Sequence, residues 1–125
     1  MKEYKRTYEI FSGSDLVTAE RILQLRHIML VQSYLYYNKG RPTMSDYEWS
    51  MLAKELADLQ NKYPEISKQV LYYEDFKEWD GSTGFHLKYM KPNIVATAEF
   101  YYANKDPKVK KVETKKSTSC QFNLF

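Results

Sequence analysis

Apolar residues recur every three or four positions between residues 15 and 37, and this period predicts a long amphipathic helix. The turn formed by residues 12–15 supplies the helix-start signal, and Gly40 lies just past the expected C-terminus. We therefore expect a first helix from about residue 15 to residue 37. The residues that carry its period are Ile22, Leu25, Ile28 or Met29, Val31 or Gln32, and Leu35.

A second amphipathic helix is predicted after a short loop. Ser45-Asp46-Tyr47-Glu48 is a capping box, in which the Ser45 hydroxyl accepts from the Glu48 amide and the Glu48 carboxylate accepts from the Ser45 amide. Pro64 ends this helix, because the residue before a proline is displaced from helical geometry. Two helices with a short connection are expected to form an antiparallel hairpin. The apolar stripe of the second helix is Trp49, Leu52, Leu56, Leu59 and Tyr63.

Further helices are predicted around this hairpin, so the fold class is mainly α. Residues 4–11 are expected to form a short strand or an extended arm, and residues 65–79 short helical pieces. Residues 80–84, Asp-Gly-Ser-Thr-Gly, form a turn. Pro92 suits the first turn of a last helix over about residues 91–104.

Positive charge is concentrated at the C-terminal end. The chain of 125 residues carries a net charge of +3, but residues 105–125 hold six lysines against Asp106 and Glu113, which is +4 and leaves −1 for the rest. Lysine, threonine and serine with little apolar content predict a disordered basic linker over residues 105–120. We therefore predict a helical domain over residues 1–104, this linker, and a C-terminal peptide over residues 121–125.

Composition excludes several classes of protein. Cys120 is the one cysteine, which excludes an internal disulfide framework, and with only two histidines no metal site is predicted. His27 falls among apolar residues of the first helix, and His86 has no neighbouring partner that suggests a catalytic triad. The start of the chain lacks the apolar core of a signal peptide, and no apolar run spans a bilayer. We expect a cytoplasmic protein with no membrane partner and no catalytic residue.

The hairpin carries a spaced set of aromatic, proline and acidic residues. Residues 34–52 read YLYYNKGRPTMSDYEWSML, and residues 56–65 read LADLQNKYPE. In this spacing, without a gap, the chain resembles the N-terminal Ia module of bacterial NAD-dependent DNA ligases over roughly residues 18–67. The resemblance implies a small stand-alone ligase-related protein of the kind found in bacterial viruses, acting in a bacterial cell or a phage-infected host.

The Ia module covers the nicotinamide mononucleotide half of NAD, so the resemblance implies nucleotide contacts at Tyr36, Tyr37, Asp46, Trp49 and Ser50. Tyr36 and Asp46 keep the family residue. Tyr37 stands where histidine is common, Trp49 replaces a tyrosine, and Ser50 replaces an aspartate. The aromatic residues are alternatively explained by packing between the helices, and Asp46 by its place in the first helical turn, where a carboxylate is favoured.

Ligases of this kind also need a nucleotidyltransferase domain with a Lys-x-Asp-Gly motif, whose lysine becomes adenylated. Residues 78–81 read Glu-Trp-Asp-Gly and have glutamate at the lysine position. We therefore predict that the chain is not an enzyme, while a subunit that completes a split ligase in trans stays open. No resident cofactor is predicted, with NAD or nicotinamide mononucleotide as the alternative.

The chain ends in Gln121-Phe122-Asn123-Leu124-Phe125. This peptide resembles the pentapeptide by which replication proteins dock on the bacterial sliding clamp, with Phe122 and Asn123 as mild departures. Leu124 and Phe125 can fill an apolar groove, worth roughly 1.5–3 kcal/mol each, and the Gln121 amide can fix the register. Fold-back of this peptide onto the helical domain and docking on another partner are the alternatives.

The leading hypothesis is a non-catalytic DNA replication or repair accessory, or a modulator of host replication, that docks on the bacterial sliding clamp. The lysines of the tail are expected to add weak contacts to DNA phosphates. The alternative function is a nicotinamide nucleotide binding module related to NAD-dependent DNA ligase.

Overall fold

The computed structural model describes residues 4–84 and 86–104, and every regular element among these residues is helical. The helices are α1 (Thr7–Ile10), α2 (Gly13–Tyr34), α3 (Asp46–Lys62), α4 (Pro64–Ser67), α5 (Tyr73–Phe76) and α6 (Pro92–Ala103), and α2 continues into a π-helical turn over Leu35–Lys39. The mainly α prediction is confirmed. The predicted linker and C-terminal peptide, residues 105–120 and 121–125, lie outside the described residues.

The strand considered for residues 4–11 is not formed, because this stretch makes the short helix α1. The Glu9 amide donates to the Arg6 carbonyl and the Phe11 amide to the Thr7 carbonyl, which closes a helical turn. Thr7 is buried and its hydroxyl donates to the carboxylate of Glu20 on α2. The N-terminal segment is therefore held against α2 by a side chain and not by a strand partner.

The predicted hairpin of α2 and α3 is confirmed, and local signals set its ends. Gly40 follows the π turn in a left-handed conformation, with φ of 66°. At the start of α3 the Glu48 amide donates to Ser45 Oγ at 3.1 Å, and the Ser45 amide donates to Glu48 Oε1 at 2.9 Å. The capping box thus forms as expected. The predicted stripe of α3 faces the core, with Leu56 fully buried and Ala53 added to it.

Helix α6 packs on α2 and holds the π turn at the C-terminal end of α2. Ile94 and Ala98 of α6 are fully buried. The Tyr34 hydroxyl donates to Glu99 Oε2 at 2.5 Å, and Lys39 Nζ lies 3.1 Å from the same oxygen. These two partners, Tyr34 first, hold the pKa of the Glu99 carboxyl below its ordinary value.

Arg26 of α2 is fully buried and binds the stretch that follows α3. Its Nε donates to Gln60 Oε1 at 2.8 Å and its Nη1 to the carbonyls of Val70 and Leu71 at 2.9 and 3.1 Å. Its Nη2 donates to the carbonyl and to the hydroxyl of Ser67 at 3.2 and 2.6 Å. Burial lowers the pKa of Arg26 to about 10, so the guanidinium stays charged at neutral pH.

No helix among residues 4–84 and 86–104 is long and apolar enough to cross a membrane.

Replacing Arg26 by methionine is expected to lower the free energy of unfolding by about 3–5 kcal/mol, because several buried acceptors lose their donor at once. Urea denaturation followed by circular dichroism measures the change.

Arg21→Met is the matched control. Arg21 makes a two-pronged ion pair with Glu55, at 2.6 and 2.8 Å, but both side chains are more than a third exposed. Loss of this ion pair is expected to lower the free energy of unfolding by at most about 1 kcal/mol. An Arg26→Met protein as stable as Arg21→Met would contradict the role given to Arg26.

Candidate functional site

The five residues that the sequence selects as nucleotide contacts all line one pocket of about 270 Å³. The pocket lies between the C-terminal end of α2 with its π turn, the N-terminal end of α3, and residues 82–84. The sequence-selected lining residues are Tyr36, Tyr37, Asp46, Trp49 and Ser50, and the structure adds Gln32, Ser33, Pro42, Met44, Ser45, Ser82, Thr83 and Gly84.

The first wall is the π turn, which carries two tyrosines. Tyr36 is 54% exposed and Tyr37 is 37% exposed, so both rings remain partly open to solvent. The two rings meet edge to face with centroids 4.8 Å apart. Tyr37 also stacks on Tyr89, with centroids 5.8 Å apart and planes 12° from parallel. The π turn, a distortion often found at functional sites, thus presents an ordered aromatic surface.

The second wall is the loop before α3 and its first turns. Gln32 of α2 is almost completely buried, and its side-chain amide donates to the Thr43 hydroxyl while its carbonyl oxygen accepts from the Thr43 amide at 2.9 Å. This two-sided bond places the loop, and with it Asp46, the first residue of α3. Trp49, one turn further on, is half-buried and meets Trp79 edge to face at 6.2 Å. Asp46 therefore has both a favourable helix position and a place in the pocket.

The third wall is the turn over residues 80–84, which sequence reasoning recognised as a turn but did not place at the site. Asp80 Oδ1 accepts from the amide and the hydroxyl of Ser82 at 2.9 and 2.7 Å. The Trp79 indole donates to the Thr83 carbonyl at 2.7 Å. The Tyr37 hydroxyl lies 3.1 Å from Thr83 Oγ1, which joins this wall to the first.

Two glycines let this turn lie directly against the hairpin. Gly81 has φ of 86°, and a Cβ there would lie 3.3 Å from the Ala53 carbonyl oxygen. A Cβ on Gly84 would lie 2.0 Å from Ser33 Oγ and 3.5 Å from Trp49 Cζ2. The distance of 2.0 Å from this Cβ to Ser33 Oγ is far shorter than a van der Waals contact. A side chain at position 84 would therefore push against the floor of the pocket.

The pocket is aromatic and acidic. Asp46 is its one carboxylate, and no lysine, arginine or histidine is among the described residues that line it. Such a lining favours a flat cationic or electron-poor ring and lacks the positive charges that hold a phosphate. Within residues 4–84 and 86–104 no cluster of histidine, cysteine and carboxylate side chains suits a metal ion.

The remaining candidate residues do not join this site. His27 lies on α2 outside the pocket, and burial lowers its pKa. His86 is exposed and does not line this pocket, but it lines a neighbouring cavity that shares Ser82 and Thr83 with it. Residues 121–125 lie outside the described part of the chain.

The part of the chain that contains the hairpin of α2 and α3 is similar to a known protein family. Residues 16–69 match the family model described as the DNA ligase-like, N-terminal NAD+-binding domain. This agrees with the resemblance over residues 18–67, which is confirmed. The first two walls lie within the match, whereas residues 82–84 of the third wall lie outside it. No solved structure is a significant match to the chain.

Several bacterial DNA ligases are similar to the chain over a small part of their own length. The DNA ligase of Thermoanaerobacter sp. (strain X514) is 47% identical over 47 residues, which are 38% of this chain and 7% of that ligase. The DNA ligase of Chlorobium chlorochromatii is 42% identical over 48 residues, 38% of this chain and 7% of that ligase. The DNA ligase of Fusobacterium nucleatum is 31% identical over 88 residues, 70% of this chain and 12% of that ligase. The match thus concerns an N-terminal module and not a catalytic domain.

Gly84→Ala is expected to lower the free energy of unfolding by about 1–3 kcal/mol, because the new methyl group overlaps Ser33 Oγ. Adding Ser33→Ala should restore most of that loss, since the overlapping oxygen is then gone. A double-mutant cycle by thermal denaturation measures the coupling between the two positions. Additive effects would show that the two residues do not meet.

Proposed function

Because residues 16–69 are a DNA-ligase-like Ia module, we propose that the chain binds the nicotinamide half of a pyridine nucleotide in this pocket. The observation that carries the proposal is the lining itself. Three aromatic residues and one carboxylate surround a space without a basic side chain among its described lining residues.

The charge of the ligand fits this lining. Nicotinamide joined to ribose is a pyridinium ring with a positive charge, and cation–π contact with tyrosine or tryptophan is worth about 0.5–2 kcal/mol. Tyr36, Tyr37 and Trp49 supply the aromatic groups, and Asp46 supplies the opposite charge. The phosphate finds no cation in the lining, so we propose that it points to solvent.

The size of the pocket supports half a dinucleotide. Ligand pockets commonly span about 300–1,000 Å³. A pocket of about 270 Å³ lies just below that range and suits a ring with its sugar better than a complete NAD molecule. The matched part covers 7–12% of the similar ligases, so we propose a binding module and not a ligase. An adenylating chain supplied in trans would extend this proposal to a split enzyme.

Nicotinamide mononucleotide and nicotinamide riboside are expected to bind the chain with similar affinity, and at least about tenfold more tightly than their reduced forms, which lack the ring charge. Isothermal titration calorimetry measures the four affinities. Absence of binding at millimolar nicotinamide mononucleotide, or equal affinity for oxidised and reduced forms, would refute the proposal.

Variants of α3 test the proposed attraction between the pocket carboxylate and the positively charged nicotinamide ring. Asp46→Asn should weaken binding about threefold to tenfold, and Ser50→Asp, which adds a second carboxylate to the lining, should strengthen it severalfold. Asp58→Asn is the matched control, because Asp58 lies on the same helix, pairs with Lys54 and does not line the pocket. The Asp58 variant should bind as the unchanged chain does.

A second candidate function rests on the C-terminal sequence. We propose that Gln121, Leu124 and Phe125 dock on a bacterial sliding clamp, since an apolar pair at the end of a lysine-rich segment is typical of a partner-binding peptide. Through this contact the chain acts as an accessory or a modulator of DNA replication. The lysines of residues 105–116 add salt-dependent contacts to DNA phosphates near the clamp.

Removal of the two apolar anchors, Leu124→Ala with Phe125→Ala, is expected to abolish capture of the chain by an immobilised bacterial sliding clamp. The physical reason is the loss of about 3–6 kcal/mol of apolar burial. Pull-down measures the capture, and Val109→Ala, a substitution in the same tail, is the control. Equal capture of the full chain and of a chain lacking residues 121–125 would end this hypothesis.

A further inference from the structure

Ser33 of α2 is a buried polar residue that the proposed contacts do not use. It is 2% exposed, and its Oγ has no hydrogen-bond partner among the described residues. Buried hydroxyl groups are normally paired, because an unpaired one has lost water without replacing it. Ser67, which is 3% exposed, follows this rule, since its Oγ accepts from Arg26.

Ser33 belongs to the pocket. It is one of the lining residues, and its Oγ lies against Gly84, where a Cβ would come within 2.0 Å of it. The absence of a side chain at Gly84 leaves the room that the Ser33 hydroxyl itself occupies. Its neighbour Gln32 differs from it, because each end of the Gln32 amide already has a partner in Thr43.

The order of groups in the pocket decides which part of a ligand reaches Ser33. Asp46 and Ser50 are exposed at the mouth, whereas Ser33 is buried at the floor. A nucleotide phosphate needs solvent in a pocket without a lining cation, so the opposite end of the ligand enters first. In a nicotinamide nucleotide that end is the ring with its uncharged carboxamide, which carries donors and an acceptor.

We infer that Ser33 is a further ligand-binding and specificity residue, whose hydroxyl bonds the carboxamide of a nicotinamide nucleotide at the floor of the pocket. This inference rests on the proposed function. A serine hydroxyl has one donor and two acceptor sites and rotates between staggered positions, so it can match either side of an amide. The ligand-free protein has already withdrawn this hydroxyl from water, and the ligand supplies the missing partner.

This arrangement has a distinctive consequence. Removing an unpaired hydroxyl takes no hydrogen bond from the ligand-free protein, so stability should not fall. The same change leaves the carboxamide of the ligand without its partner, so affinity should fall. A serine with a merely structural role gives the reverse result.

The test compares Ser33→Ala with Ser67→Ala in the full chain. Ser33→Ala should weaken binding of nicotinamide mononucleotide about fivefold to tenfold, with an unchanged or higher Tm of the ligand-free protein. Ser67→Ala, remote from the pocket, should lower the Tm and leave the affinity unchanged. Calorimetry measures the affinities and differential scanning fluorimetry the melting temperatures.

A ligand that lacks the carboxamide is the control for the proposed contact with Ser33. N-ribosylpyridinium keeps the ring charge and should bind the unchanged chain and Ser33→Ala equally. If Ser33→Ala binds nicotinamide mononucleotide as tightly as the unchanged chain does, the inference is wrong while the proposed function stands. A fall in Tm like that of Ser67→Ala would make Ser33 structural and overturn it. If the unchanged chain binds neither ligand, the proposed function fails and the inference with it.

Discussion

The burial of one cation, Arg26, is the constraint on which the rest of the structure depends. Its guanidinium makes five hydrogen bonds to Gln60, Ser67, Val70 and Leu71, and none of these acceptors is a carboxylate. A buried charge is tolerated when its donors are all well bonded, and helix α4 ends at Ser67, so carbonyls at the negative end of a helix lie nearby. The same stretch also buries Ile66, Val70 and Phe76 in the core, and Arg26 bonds its backbone directly. Arg26 therefore fixes the path of the chain toward residues 73–84.

That path matters because the candidate site is assembled from three separate walls. Gln32 positions the loop before α3, Glu99 holds Tyr34 and Lys39 at the π turn, and the Trp79 indole holds Thr83. Phe76 links the last wall to the core, since its ring is fully buried and meets Trp79 edge to face at 5.2 Å. Each wall thus has its own polar or aromatic anchor. A pocket that is already organised loses less entropy when it binds a ligand.

The two proposed functions use opposite charges in different parts of the chain. The pocket offers Asp46 and aromatic rings and suits a cationic ring, whereas residues 105–116 are rich in lysine and suit phosphate. The two activities therefore do not compete for the same ligand chemistry. The ligase-like segment, residues 16–69, contributes two of the three walls, and residues 82–84 add a wall from outside it. Ser33 lies where these contributions meet.

The local features of this protein were determined by its sequence, because each depends on residues only a few positions apart. The capping box of Ser45 and Glu48, the C-terminal stop at Gly40 and the apolar stripe of α3 are of this kind. Five of the pocket residues were implied by the resemblance to the ligase Ia module, which a spaced motif within the hairpin carries. The tertiary structure alone decided the rest. The N-terminal segment became α1, Arg26 became buried, and the turn over residues 80–84 met Ser33, about fifty positions away. No local pattern encodes such contacts, since they arise only when distant segments pack and must satisfy one another's polar groups.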